Sequence, residues 1–453
     1  MEQTENVDVV VLGLGPGGEH AAIKLGGAGL DVVAIENRLV GGECPYWGCV
    51  PSKMMIAAAH VVAAVRAVPD LAGTAQVQPD WGQVARRVRD EATDDWDDAA
   101  AVKRLEEAGA RLVRGTGRLD GPGRVVVDET TYVASRAVVL NTGTEPAVPP
   151  VDGLADTPYW TNRDAVEVTD LPASLVVLGG GAIGCEFAQT FARFGVRVTV
   201  VEALDRLLGP EEPEASALLE KRLAAEGVQV LTGVDVASVA YADGSFTLDL
   251  GDQEVAADRL LVATGRRPNL AGIGLETVGL DPDAKAIDTD ERLRAAENLY
   301  AVGDVTGKGA FTHVSMYQAG VVVRHLLGKD GSPADYRAVS RVTFTDPEVA
   351  AVGMTERQAR EAGVAVLTAS GDLGARGWIA KDEGLAKLVA DRDRGVLVGG
   401  CVVGSTGGEV LSLVAAAVHA EVPVASLRSM HFAYPTFHRA LETVLDELAE
   451  RLA

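Results

Sequence analysis

Two cysteines near the amino terminus carry the strongest chemical signal in the sequence. Cys44 and Cys49 are separated by four residues, and the tetrapeptide VPSK, ending at Lys53, follows at once. Two thiols at this spacing can meet if the segment begins a helix, whose amino end also stabilises a thiolate. A metal site usually needs further Cys or His residues nearby, and the nearest histidine in sequence is His60. The pattern therefore favours a redox-active disulfide over a metal site or two buried structural thiols, and no metal site is predicted.

Two glycine-rich turns predict two nucleotide-binding modules. Each turn follows a predicted strand, Val7–Leu12 in the first module and Leu175–Leu178 in the second, and each opens a helix. Such a turn lets the helix N-terminus and its free N–H groups hold a pyrophosphate with no side chain in the way. The glycines are Gly13, Gly15 and Gly18 in the first turn and Gly179, Gly181 and Gly184 in the second.

An acidic residue ends the second strand of each module. Glu36 and Glu202 lie about 20 residues after their glycine turns, where a ribose hydroxyl would be bound. A carboxylate there accepts from a free 2′-hydroxyl and repels a 2′-phosphate, so Glu202 favours NADH over NADPH. Arg206 lies close by in sequence and leaves NADPH possible. The alternative for Glu202 is that it only caps its strand.

The surrounding elements predict an α/β fold with two Rossmann-like βαβ domains and a separate α+β C-terminal domain. Residues 55–110 have a largely helical pattern, the Pro-rich stretch Glu145–Pro158 marks the boundary before the second module, and a strand-and-helix segment begins at Val342. Apolar residues recur in the final predicted helix at Phe437, Leu441, Leu445 and Leu448. This three-to-four spacing predicts one buried face.

Composition excludes several classes of protein. The 453 residues carry a formal net charge of −24, which disfavours nucleic acid and anionic membranes as partners. Four cysteines do not make a disulfide framework of the secreted kind, and Cys185 and Cys401 are interpreted as buried packing residues. The first residues lack the basic region of a signal peptide, and no apolar run of about 18 residues without charge is present. We therefore predict a cytoplasmic protein with no nucleic-acid or membrane partner.

Together these segments resemble the flavoprotein disulfide reductases, the family of dihydrolipoamide dehydrogenase, glutathione reductase, mycothione reductase and mercuric reductase. The resemblance covers nearly the whole chain. It is carried by GLGPGG near the start, GGECPYWGCVPSK, Leu140-Asn141-Thr142-Gly143, GGGAIGCEF, ATGRRPN, AVGDVTG, FTDPEVAAVGMTE and a YPT near the C terminus. It implies a glutathione-reductase-like homodimer in which residues 1–148 and 268–335 bind FAD, residues 149–267 bind the nicotinamide cofactor and residues 336–453 pair two chains.

The resemblance also implies roles for individual residues. Cys49 would be the thiol against the flavin and Cys44 the outer thiol that attacks substrate. Lys53 would lie beside flavin N5 and pair with Glu186. A fixed cation there stabilises reduced flavin, while the carboxylate offsets the cost of burying the ammonium. Further cofactor contacts are implied at Gly42, Thr142, Gly143, Gly265, Gly303 and Asp304, the last at the ribityl chain of FAD.

The C-terminal segment departs from the family pattern. Where the family has His-Pro-Thr and a Glu five positions after the His, this chain has Tyr434-Pro435-Thr436 and Arg439. A tyrosine hydroxyl is a far weaker acid than an imidazolium, so ordinary dithiol exchange should suffer. Tyr434 is interpreted as a hydrogen-bond donor or soft-metal contact, or as packing at the dimer interface. Alternatively His438 acts as the base with Glu442 beneath it, and His431 is a further candidate.

The predicted function is that of an FAD-dependent NADH:disulfide oxidoreductase. Hydride from NAD(P)H would pass through FAD to the Cys44–Cys49 pair and on to an unidentified disulfide. Dihydrolipoamide dehydrogenase, a quinone reductase or diaphorase, and a mercuric-reductase-like metal reductase remain alternatives, the last because of Tyr434. Mercuric reductase proper is not expected, because the chain ends without the cysteine pair that such enzymes use to deliver the metal. A redox sensor without turnover is a further alternative.

Overall fold

The computed structural model describes residues 3–452 and divides into two compact units. The first unit contains Met1–Ser52, Arg86–Ala147 and Arg266–Asp335. The second contains Lys53–Ala85, Val148–Gly265 and Tyr336–Ala453. The predicted α/β class, with one parallel-stranded module in each unit and an α+β C-terminal domain, is confirmed.

The first unit is built on an eight-stranded sheet. Its central strand Gln3–Leu12 pairs in parallel with Val32–Glu36 on one side and Thr130–Leu140 on the other. Val32–Glu36 is buried along its whole length, as expected of a parallel strand covered on both faces. The carboxyl ends of these three strands therefore meet at one edge of the sheet. The other strands of the sheet are Ala110–Arg114, Arg118–Leu119, Arg124–Val127, Arg294–Ala296 and Leu299–Ala301.

Two helices pack together over one face of this sheet, Pro16–Gly26 and Thr312–Leu326. Pro16 occupies the first turn of its helix, where the missing N–H costs no hydrogen bond. A separate antiparallel pair is formed by Thr144–Pro146 and Arg266–Pro268. The remaining helical segments of the unit are Glu43–Tyr46, the π-helical turn Val88–Ala92, Ala99–Glu107 and the 3₁₀ turns Leu275–Val278 and Asp304–Thr306.

The cysteine segment continues into a long apolar helix, Cys49–Leu71, which we call the cysteine helix. It is followed by Trp81–Arg87. Among residues 3–452, the stretch Glu43–Leu71 is long and apolar enough to cross a membrane by length and composition alone. One such helix does not by itself indicate a membrane protein, because core helices of globular proteins have the same properties. Arg66 of this helix donates to the Arg193 carbonyl at 2.9 Å.

The second unit begins with a parallel four-stranded sheet in the order Gln229–Thr232, Arg197–Glu202, Ser174–Leu178, Arg259–Val262. Ser174–Leu178 is buried throughout and leads into the helix Ala182–Arg193. Three antiparallel strands lie beside this sheet, Ser238–Ala242, Ser245–Asp249 and Glu254–Ala257. The other helical segments here are Leu154–Asp156, Asn162–Glu167 and Pro213–Ala225.

The C-terminal domain has a five-stranded antiparallel sheet in the order Ser340–Thr343, Glu348–Gly353, Val396–Gly404, Leu385–Asp391, Val366–Asp372. The terminal helix Ala440–Leu452 buries Leu441, Leu445 and Leu448 against it, so the predicted apolar face is confirmed for those residues. Phe437 is only partly buried, because Phe437–Arg439 form a 3₁₀ turn before the α-helix begins. The remaining helices are Glu356–Glu361, Gly374–Ala380, Gly407–His419 and Val424–Arg428.

Candidate active site

The first glycine turn is packed so closely that only glycine fits. A Cβ on Gly13 would lie 2.4 Å from the Asn141 carbonyl oxygen, and one on Gly18 would lie 2.0 Å from the Gly13 carbonyl oxygen. Gly13 also has φ +90°, which side chains rarely adopt. The turn thereby brings the backbone N–H groups of the helix Pro16–Gly26 close to the edge of the sheet, as a bound pyrophosphate requires.

Glu36 and Asn141 fix the geometry around this turn. The buried Glu36 carboxylate accepts from the Leu14 N–H at 2.7 Å and from the Arg38 N–H at 2.8 Å. Asn141 accepts from the Gly18 N–H at 2.8 Å through Oδ1 and donates to the Val302 carbonyl at 2.9 Å through Nδ2. The sequence motifs did not predict a role for Asn141, although it immediately precedes Thr142 in the segment Leu140-Asn141-Thr142-Gly143. An amide at the end of a parallel strand is the signal that could have identified it.

Several polar groups line the same sheet edge beyond Asn141. Asp304 accepts from the Thr144 hydroxyl at 2.7 Å, and the Gly303 N–H donates to Gln318 Oε1 at 2.6 Å. The Thr142 hydroxyl is buried and has no hydrogen-bond partner within residues 3–452. No atom lies within 4 Å of the position that a Cβ on Gly143 would take. An unsatisfied buried hydroxyl, an open glycine and a fixed carboxylate fit the polar groups of a dinucleotide such as FAD.

The two amino-terminal cysteines lie side by side. Gly42, with φ +68°, precedes the short helix Glu43–Tyr46 that contains Cys44, and Cys49 is the first residue of the cysteine helix. The thiols of Cys44 and Cys49 hydrogen-bond each other. This bond raises the pKa of the Cys44 thiol, and burial raises it further.

A threonine hydroxyl also reaches the cysteine pair. Thr312 Oγ1 lies 3.6 Å from Cys49 Sγ, at the first turn of the helix Thr312–Leu326. A hydrogen bond from Thr312 acts on Cys44 in the direction that lowers its pKa. The other two cysteines, Cys185 and Cys401, are buried free thiols. Burial raises the pKa of both thiols.

Lys53 and Glu186 form an ion pair in the second unit. Lys53 Nζ lies 2.7 Å from Glu186 Oε2, and the Glu186 side chain is 8% exposed. The second carboxylate oxygen accepts from the Phe344 N–H at 2.8 Å. A carboxylate with both oxygens engaged offers a fixed partner for the ammonium. The pair predicted from the sequence is thus present as a contact.

The second glycine turn repeats the construction of the first. A Cβ on Gly184 would lie 2.0 Å from the Gly179 carbonyl oxygen, whereas a Cβ on Gly181 would meet no atom within 4 Å. Glu202 accepts from the Gly180 N–H at 2.6 Å and from the Leu204 N–H at 2.8 Å, as Glu36 does in the first module. Two acceptor positions remain on such a carboxylate, because each oxygen has two lone pairs.

Two further residues border this turn. Gly265 has φ +126° and faces open space where a side chain would be. The Arg206 guanidinium donates to the Gly209 carbonyl at 2.7 Å and contacts Asp205 at 3.2 Å. Arg206 is therefore engaged by its own loop rather than directed at Glu202.

The C-terminal candidates for an acid or base are spread over the surface of their domain. The Tyr434 side chain is exposed, and the Arg439 guanidinium lies 5.3 Å from its ring centroid. His438 Nε2 is 3.4 Å from the Thr436 hydroxyl. Glu442 pairs with Arg439 at 2.6 Å, not with His438, since the 3₁₀ turn changes the spacing of the side chains. His431 is exposed.

The model for the pyridine nucleotide-disulphide oxidoreductases matches residues 7–319, and the model for their dimerisation domain matches residues 339–445. The chain belongs to this family. Its members are FAD-dependent pyridine nucleotide-disulfide oxidoreductases. Both the family and the fold anticipated from the sequence motifs are confirmed.

Individual relatives differ in their named activity. The chain is 34% identical over 458 residues to a mercuric reductase of Acidithiobacillus ferrooxidans, covering 97% of this chain and 82% of the relative. It is 31% identical over 460 residues to a dihydrolipoyl dehydrogenase of Chlorobaculum tepidum, covering 97% of each.

Solved structures resemble the chain over almost its whole length. LpdA from Mycobacterium tuberculosis has a TM-score of 0.86 at 29% identity, covering 98% of this chain and 99% of that one. A Cu(II) complex of the HOCl-induced flavoprotein disulfide reductase RclA from Escherichia coli has a TM-score of 0.85 at 27% identity, with the same coverage. Within residues 3–452 of this chain, no group of three or more His, Cys, Asp or Glu side chains is arranged to hold a metal ion.

Proposed function

We propose that this protein is an NADH-dependent flavoprotein that reduces a small-molecule disulfide through Cys44 and Cys49. The observation that carries the proposal is the hydrogen-bond contact between the Cys44 and Cys49 thiols at the start of the cysteine helix. Two sulfurs in contact can form a disulfide with little rearrangement of the backbone. FAD, when bound, supplies a two-electron acceptor for hydride from the nicotinamide.

The dithiol can complete a balanced exchange. Cys44 loses its proton and attacks one sulfur of the substrate disulfide, forming a mixed disulfide and releasing the first substrate thiolate. Cys49 then attacks Cys44 Sγ, closing the Cys44–Cys49 disulfide and releasing the second thiolate. The two protons of the dithiol end on the two product thiols.

The choice of NADH rests on Glu202. Its carboxylate stands at the end of the second strand of the nicotinamide module and keeps acceptor capacity after binding two backbone N–H groups. A 2′-phosphate would meet this negative charge, while Arg206 is occupied by Gly209 and Asp205. The kcat/KM for NADH should therefore exceed that for NADPH. A protein that prefers NADPH would refute this assignment.

We also propose that the active form is a homodimer in the cytoplasm. The dimerisation domain matched by residues 339–445 supports the pairing of two chains. Sedimentation of the flavin-loaded protein tests the dimer. A monomer at micromolar concentration would contradict it.

A second candidate is reduction of a thiol-binding metal ion such as Hg(II) or Cu(II). Tyr434 favours it, because the chain lacks the histidine that protonates a leaving thiolate, whereas a metal ion bound by two sulfurs needs no such proton. The mercuric reductases among the relatives support the same possibility. In this case the two thiolates would bind the ion, and two electrons supplied by NADH through FAD would reduce Hg(II) to the metal.

Turnover with NADH against a panel of disulfides, quinones and metal ions separates these functions. Cys44→Ala should abolish disulfide reduction, while Cys401→Ala, at a buried cysteine far from any second sulfur in sequence, is the matched control. Full disulfide turnover by Cys44→Ala would refute the proposal. Turnover of quinones alone, unaffected by Cys44→Ala, would indicate a diaphorase. Selective loss of Hg(II) reduction in Tyr434→Phe would favour the metal reductase.

A further inference from the structure

Phe344 contacts both members of the Lys53–Glu186 ion pair. Its backbone N–H donates to Glu186 Oε1 at 2.8 Å, and its ring centroid lies 4.8 Å from Lys53 Nζ. The ammonium therefore contacts both a carboxylate oxygen, at 2.7 Å, and an aromatic face. Both contacts are attractive for a cation, because the face of an aromatic ring carries negative charge density. The contacts with Glu186 and Phe344 together orient the Lys53 side chain.

The segment that carries Phe344 is itself held by the helix of Glu186. Gln189, one turn after Glu186, accepts from the Asp346 N–H at 2.8 Å and donates to the Asp346 carbonyl at 2.8 Å. Arg193, a further turn along, donates to the Asp346 carboxylate at 2.6 Å and is 2% exposed. Glu186, Gln189 and Arg193 lie on one helix face and bind Phe344–Asp346 as a unit. The backbone that carries the Phe344 ring is therefore held in place by part-buried hydrogen bonds.

We propose that Phe344 is a positioning residue for Lys53. This role rests on the proposed function, in which Lys53 acts beside the flavin. The ring contacts the ammonium and restricts the rotamers of the long lysine side chain. The backbone N–H fixes the carboxylate at the same time. A residue of the C-terminal domain thereby sets the geometry of a group that the sequence motif places in the redox site.

The ring can be removed without removing the N–H. Phe344→Leu keeps the backbone donor to Glu186 and deletes the aromatic face, while Phe344→Tyr keeps both. Phe246→Leu is the matched control, because Phe246 is fully buried in the same unit and has no contact with Lys53 among those described. Any effect of a general loss of packing should appear in both leucine variants.

The decisive measurement is the acetylation rate of Lys53 in the purified full-length flavoprotein, resolved by mass spectrometry of the lysine-containing peptide. Phe344→Leu should raise the rate about fivefold, the factor that corresponds to one cation–π contact of ordinary strength. Phe344→Tyr should return it to the wild-type rate. Equal rates in Phe344→Leu and Phe246→Leu would overturn the proposal.

A second readout separates this proposal from the one on which it rests. The midpoint potential of the flavin should become more negative in Phe344→Leu than in Phe246→Leu, because a displaced cation stabilises reduced flavin less. Lys53→Met should shift the potential further in the same direction. An unchanged potential in Lys53→Met would refute the role of Lys53 in the proposed function, whereas unchanged acetylation in Phe344→Leu refutes the positioning role of Phe344.

Discussion

Replacing Gly18 by alanine should weaken FAD retention without unfolding the rest of the chain. The new Cβ would lie 2.0 Å from the Gly13 carbonyl oxygen and 3.0 Å from Asn141 Oδ1. The Gly13 oxygen belongs to the backbone and the Asn141 amide is fixed by hydrogen bonds at both ends, so the glycine turn has to move. That turn is the element whose N–H groups are expected to hold the pyrophosphate.

The size of the effect follows from two opposing contributions. Overpacking of this kind costs about 1–3 kcal/mol and occasionally more. Alanine in a helix interior recovers up to about 1 kcal/mol relative to glycine. The strain falls on the cofactor turn, and each 1.4 kcal/mol that reaches the binding equilibrium weakens binding about tenfold. We therefore expect FAD affinity to fall by about tenfold or more.

Gly320→Ala provides the matched control in the same unit. Gly320 also lies inside a helix, but its Cβ would meet only the end of the Arg324 side chain at 3.5 Å, an ordinary contact. The assay is the flavin absorbance per chain after gel filtration, followed by titration with added FAD. Gly184→Ala, with the same 2.0 Å approach in the second module, should keep flavin but lose reduction by NADH. Normal flavin content and affinity in Gly18→Ala would refute the reasoning.

Two other substitutions test the buried network and the C-terminal candidates. Arg193→Met should lower the free energy of unfolding by about 2 kcal/mol, since it leaves two half-buried carboxylates with only the half-exposed Arg222 as a partner. Arg222→Met should cost under about 1 kcal/mol, and urea unfolding midpoints measure both effects. Burial raises the pKa of the Asp346 carboxyl, but the charge of Arg193 outweighs burial and holds that pKa below its ordinary value. The stability that this ion pair contributes is therefore present above the pKa of Asp346 in the unfolded chain, and it is lost as the pH falls through the lower pKa of the folded protein. The difference in unfolding free energy between wild type and Arg193→Met should therefore become smaller in acid. A difference that does not change with pH would contradict this role of Arg193. His438→Ala should leave the pH profile of disulfide turnover unchanged, because Glu442 pairs with Arg439 and not with His438. If the variant instead loses the change in rate between pH 5 and 8 that wild type shows, His438 is the base.

Local patterns in the sequence were sufficient for the glycine turns and the cysteine pair. Gly18 and Gly184 each approach the carbonyl of a glycine five residues earlier, which is a local relation. Gly13 and Gly179 instead approach Asn141 and Ala263, which are distant in sequence, so only the structure shows those contacts. The terminal apolar face was likewise readable from its spacing. The 3₁₀ turn at Phe437–Arg439 was not, because helix boundaries depend on tertiary contacts of the first turn.

The sequence by itself determined the two dinucleotide modules, the acidic residue at the end of each, and the close approach of Cys44 and Cys49, because each depends largely on short-range spacing and backbone geometry. Only the tertiary structure joined Lys53 and Glu186 to Phe344, which lies far away along the chain. Such contacts arise when buried polar groups must find partners across packed elements. No local period encodes which distant ring or N–H will supply that partner.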